Sequence, residues 1–106
     1  MAKLSEKPAD GTSFHNITIK CTPQQLIDLL GAPQCLCNDG SDKTNFDWTC
    51  ETASGKVFTI YDWKYYRFLD LNESIRWNIG SYDSSTSIVA KDEIMGQLIK
   101  NKLQNA

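Results

Sequence analysis

The stretch from Val57 to Ser81, VFTIYDWKYYRFLDLNESIRWNIGS, limits the fold more than any other part of the chain. It holds two of the three tryptophans, all of the tyrosines but Tyr82, and both arginines. Val57 to Trp63 is rich in β-branched and aromatic residues, which suit a pleated, half-buried surface. Read by twos, one face carries Val57, Thr59, Tyr61 and Trp63, and the other Phe58, Ile60, Asp62 and Lys64. Both faces begin apolar, which predicts a strand in the middle of a sheet and covered on both sides. Ile75, Trp77 and Ile79 share one face of a second strand, with Arg76 and Asn78 opposite and Gly80 at its end. Trp48, Tyr61 and Trp77 are expected in the core.

The flanking segments supply the remaining elements. Phe14 to Cys21 alternates, with His15, Ile17, Ile19 and Cys21 on one face, and reads as a strand. His15 is expected to be a partly exposed strand residue, because a general base needs a partner that the sequence does not offer. In CTPQQLIDLLGAP, Thr22 can cap, Pro23 suits the first helical position and Gln25 completes a capping box. Gly31 and Pro33 end that short helix. Phe46 to Thr52 alternates again, and Ala53-Ser54-Gly55 fits a hairpin with a glycine bulge. From about Ser84 to Gln104, Ile88, Met95, Leu98, Ile99 and Leu103 recur at helical spacing. The order is β-α-β-β-β-α. It predicts an α+β fold, a small antiparallel sheet with two helices on one face. Residues 1–12 are expected to be a flexible arm and 13–106 a single domain. An apolar second face left uncovered by two helices predicts a homo-oligomer.

A net charge of −2 gives no general pull toward nucleic acid or an anionic membrane. No apolar run approaches the roughly 18 residues of a membrane span. MAKLSEKPADGT has no apolar core of a secretory signal, so a cytoplasmic location is expected. Cys21, Cys35, Cys37 and Cys50 are then expected to be reduced and metal-free, because only one close pair exists and its gap is a single residue. Asp62, flanked by Tyr61 and Trp63, is the best candidate for acid–base work among Asp62, Asp70, Glu73 and Asp83. An ion pair or hydrogen bond at a strand end is its plainer role. No phosphate loop, nucleophile elbow or HExxH pattern is present. The expectation is a protein that is not an enzyme and needs no cofactor.

One constellation remains: Trp63, Lys64, Tyr65, Tyr66 and Arg67, with Arg76 and Asn78 on the neighbouring strand. Rings that stack on a base, beside cations that pair with phosphate, are the ingredients of a nucleotide site. The plain alternative is that the rings belong to the core and the cations to the solvated surface.

The motifs Leu30 to Pro33, Ile60 to Lys64 and Trp77 to Gly80 resemble those of a family of small phage and bacterial proteins with an IYDWK…WxIG signature, over roughly residues 14 to 100. Asn78 and Ser81 stand where that pattern has His and Gly, so a role resting on the histidine does not carry over. The family's function is poorly described; the resemblance implies a phage origin and so the host cytosol, and small phage proteins with no enzyme motif are often inhibitors or decoys against host defence. Joined to the residues above, it leads to the expectation of a protein that sequesters a small anionic ligand, such as a cyclic nucleotide immune signal, without turnover. The alternative is an inhibitor that binds a host protein directly. A hydrolase using Asp62 is a third reading.

Overall fold

The computed structural model describes residues 1–104, with Cys35 and Gln104 described by their backbone alone. The elements are β1 (Lys3–Leu4), β2 (Ser13–Cys21), α1 (Pro23–Leu30), β3 (Cys35–Leu36), β4 (Phe46–Glu51), β5 (Val57–Tyr61), β6 (Ile75–Ser81) and α2 (Ser84–Gln104). The fold is α+β. One antiparallel sheet runs in the order β1-β4-β5-β6-β2, with β3 pairing beside β1 on the same edge of β4. The expected element order holds, and two short edge strands are added to it.

Local chemistry explains the elements. Thr22 accepts the Gln25 N–H at 3.0 Å, and the Gln25 side chain accepts the Thr22 N–H at 2.8 Å, so the capping box closes. Gly31 donates its N–H to Ile27 O and takes φ 91°, which a Cβ would oppose. In the β4–β5 hairpin, Thr52 N–H reaches Lys56 O and Gly55 takes φ 85°, as a glycine bulge requires. α2 begins where the Asp83 carboxylate accepts the Thr86 N–H at 2.7 Å.

Register decides which side chains meet. Trp48, Ile60 and Ile79 lie in line across β4, β5 and β6, and Ile19 faces Trp77 across β2 and β6. With Leu26 and Leu30 of α1 and Ala90 and Ile94 of α2, they form one core on the helix side of the sheet. Trp48 stacks on Phe46 and meets Trp77 edge-on at 5.5 Å. Both indole N–H groups are used: Trp48 donates to Gly31 O and Trp77 to Cys21 O, each at 3.0 Å. Cys21 and Cys50 fill the same core as small hydrophobes, and burial pushes both thiols up to about 12.

Two expectations change. Residues 1–12 are not a loose arm. Ala2 is buried and trades hydrogen bonds with the Gln97 side chain, and Lys3–Leu4 pairs with β4. Since β1 and β2 lie at opposite edges, the chain between them must cross about 19 Å of sheet. It crosses on the side away from the helices, where Lys7 holds Glu51 at 3.1 Å and Gly55 O at 2.8 Å. It ends in a turn in which Ala9 O accepts from Thr12 N–H and Thr12 Oγ1. The second change concerns Tyr61, which is half-buried on this outer face and not in the core. The outer face is polar, with Thr59, Tyr61, Asp47, Thr49 and Asn78, so it does not present the apolar surplus from which self-association was expected. The exposed large apolar side chains of α2 are Ile88, Val89, Ile99 and Leu103.

Candidate functional site

The outer face carries a pocket of about 360 Å³. Asp47, Thr49, Thr59 and Tyr61 form its floor, Asp10 and Thr12 of the crossing strap one wall, and Trp63 another. Gly80 lies in the floor, where a Cβ would come within 2.7 Å of Thr59 Oγ1. Any side chain there would push into the pocket.

Asp47 is half-buried, and among the described residues its carboxylate has no hydrogen-bond partner or ion pair. Burial, reinforced by the nearby charge of Asp62, pushes its pKa above the usual carboxylate range. An unpaired carboxylate beside an aromatic wall is an acceptor waiting for a donor. Tyr61 is likewise pushed up by burial, with the neighbouring Asn78 side chain acting in the opposite direction. Its ring meets that of Trp63 edge-on at 6.0 Å.

Trp63 is 45% exposed, and two ammonium groups approach its ring: Lys43 Nζ at 5.8 Å and Lys64 Nζ at 5.6 Å from the centroid. This arrangement comes from the locking of two loops, 37–45 and 62–74. Asp62 is buried, and its carboxylate accepts the Asn45 N–H and the Phe46 N–H at 2.8 Å each. Burial raises its pKa, against those donations. Asn38 accepts Leu69 N–H and donates to Leu69 O, while Asn45 donates to Arg67 O and Lys64 N–H to Lys43 O. Gly40 packs so closely on this segment that a Cβ would lie 2.5 Å from Arg67 N. Lys64 and Tyr66 take φ 59° and 51°, a conformation non-glycine residues rarely adopt. These bonds hold the strain next to Trp63, which stands at the pocket rim.

The structure divides the sequence-derived cluster. Trp63 lines the pocket, and Lys64 stands beside its ring without lining the pocket. Asn78 pairs with Tyr61 across the strands and adjoins it. Tyr65 is a spacer: its hydroxyl accepts the Arg76 N–H at 3.1 Å, and the Arg67 guanidinium lies 5.5 Å from its ring centroid. Arg67 binds Glu73 with two bonds of 2.7 and 2.9 Å, which hold the Glu73 carboxyl down to about 2. Tyr66 is exposed beside that pair. Arg76 lies further along the outer face, directly across from Lys20. His15 is half-buried, with Nε2 3.1 Å from Ser81 O.

Sequence reasoning missed Lys43, Asp47, Asp10 and Lys20. Asp47 had a visible signal, since it alternates with Phe46 and Trp48 and so must face away from them. The other three depend on loop paths and strand order, which no local pattern records. Cys21, Cys37 and Cys50 are free thiols, and no group of three or more metal-ligating side chains converges among the described residues. No helix among them is long and apolar enough to cross a membrane. No family model matches this chain, and no curated protein and no solved structure matches it. A functional assignment therefore stands on the site's own chemistry.

Proposed function

We propose that this protein binds a small, anionic, base-containing ligand of the nucleotide class on the outer face of its sheet and holds it without altering it. The observation that carries the reading is Trp63, which lines one pocket with the unpaired Asp47 carboxylate and has the Lys43 and Lys64 ammonium groups beside its ring, outside the pocket lining. A base gains about 1–3 kcal/mol by stacking on an aromatic ring. Its ring or exocyclic N–H groups find an acceptor in Asp47. Its phosphate finds Lys43 and Lys64, whose long stems can leave the ring face and keep their charge near it. Retention is the chemistry of a sequestering protein, and a phage origin with a role against host defence would give such retention a purpose.

Incubation with a panel of mono-, di- and cyclic nucleotides, followed by gel filtration and denaturation, tests this. The account predicts that one class co-elutes and is recovered intact. Recovery of a cleaved or modified product would overturn the non-enzymatic reading, and no retention of any nucleotide would overturn the ligand class.

A second reading, direct binding to another protein, has its own support. Leu36, Tyr66, Phe68 and Leu71 are exposed on the short strand β3 and the locked loop. Large apolar side chains held in a fixed backbone are the usual anchors of a protein interface. Tyr66→Ala with Phe68→Ala should leave nucleotide retention intact. If it does so and abolishes activity in a host, the protein partner is the target.

A further inference from the structure

We infer a second anion subsite on the same face, built by Lys20 and Arg76, which takes a phosphate group. The two residues are direct partners across β2 and β6. Like charges directly opposite each other weaken a strand pair. Both side chains are exposed, and neither has a carboxylate within ion-pairing distance among the described residues. The carboxylate that borders them, Glu73, is taken up by Arg67 through two bonds and by the Asp70 N–H at 2.9 Å. Two positive charges are thus left uncompensated over a depression of about 360 Å³.

The backbone beneath them is set. β5 ends at Tyr61, so Arg76 lies beyond the last β5 partner of β6. The Tyr65 hydroxyl accepts the Arg76 N–H in place of a strand. This fixes the root of the Arg76 side chain beside Lys20. A tetrahedral oxyanion suits the pair, because Arg offers a planar fork for two oxygens and Lys a point charge for a third.

The subsite deepens the proposed function and rests on it for its meaning. Asn78 lies across from Tyr61, and Arg76 is the next residue of β6 on that face. Diagonal neighbours of this kind are about 7–8 Å apart. A single ligand can reach both places if it carries two phosphates, one near Lys43 and Lys64 and the other at Lys20 and Arg76. The ligand class narrows to dinucleotides, linear or cyclic.

Inorganic phosphate and adenosine, titrated separately into the full chain and followed by amide and indole NMR shifts, test the subsite apart from the pocket. Phosphate should shift the Lys20 and Arg76 resonances to saturation, and an equal ionic strength of chloride should not. Arg76→Gln or Lys20→Gln should weaken phosphate binding about tenfold or more. Arg76→Glu should abolish it while melting no lower than the parent, since it puts opposite charges across the strands. Phosphate shifts equal to those of chloride, or unchanged in these variants, overturn the subsite even if adenosine moves the Trp63 indole. Saturable phosphate binding with no movement of the Trp63 indole by any nucleoside or nucleotide leaves the subsite standing and overturns the base pocket.

Discussion

On the helix side of the sheet, Trp48, Trp77, Phe58 and Ile60 are fully buried, whereas the same strands present Asp47, Thr49, Thr59, Tyr61 and Asn78 on the strap side. Each tryptophan on the first side has its ring packed and its N–H satisfied inside the fold. Trp63, on the second, keeps nearly half its surface in water and has cations beside it. The two sides also differ in what covers them. Helices cover one with apolar side chains. The other is crossed by a strap whose polar residues leave a hollow. Stability is concentrated on one side, and unfilled bonding capacity on the other.

The sharpest way to break this comparison is to substitute across it. Trp77→Ala should cost about 3–5 kcal/mol, a large share of the stability of a small domain. A thermal melt within a few degrees of the parent would mean that the core lies elsewhere. Gly40→Ala acts on the device that joins the two sides. Its Cβ would collide with the Arg67 backbone at φ 78°, so it should cost more than about 1 kcal/mol and loosen the two loops together. If amide exchange in 62–69 is unchanged in that variant, the loops are not locked as described. Thr22→Ala opens the α1 capping box and should cost about 1 kcal/mol, with no effect on the outer face.

The two sides of this comparison were unequally legible in the sequence. Alternation in Phe46–Glu51 and Ile75–Ser81 placed the tryptophans because a strand has a period of two and one face was covered by helices. The α1 cap was readable because its whole chemistry lies within four residues. Tyr61 was misplaced because its face begins with Val57, and an apolar start says nothing about what lies above it. The strap could not be read at all. Its path follows from β1 and β2 being at opposite edges, and strand order is a property of long-range pairing. For the same reason the sequence brought Arg67 into the site while leaving out Lys43 and Lys20. Arg67 is near Trp63 along the chain, but Glu73 holds it.

Acid sharpens the electrostatic part of the account. Glu73 falls from 4.5 to about 2 in the fold, chiefly through Arg67, and Asp83 from 3.8 to about 2, through Thr86. A lowered carboxyl pKa stabilises the fold above its unfolded value, and that contribution is lost as the pH falls toward the folded value. Asp47 and Asp62, raised by burial, act with the opposite sign: their protonation favours the fold, and this is lost as the pH rises through their raised values. Thermal melts of the parent and Glu73→Gln should therefore separate above pH 4.5 and converge toward about pH 2. A gap that is constant with pH would remove the Arg67–Glu73 pair as the cause.

On the proposed function, the strap side of the sheet is a ligand site and not merely a solvated surface. Calorimetric titration of the dinucleotide or cyclic nucleotide retained by the parent, repeated on Trp63→Ala and Asp47→Asn, addresses it most directly. The account predicts that Trp63→Ala melts within about 0.5 kcal/mol of the parent's stability while losing roughly 1–3 kcal/mol of binding, about one to two decades in affinity. Asp47→Asn should also stay folded and bind more weakly. Saturating heat of equal affinity in all three proteins, or no heat in the parent, would contradict it.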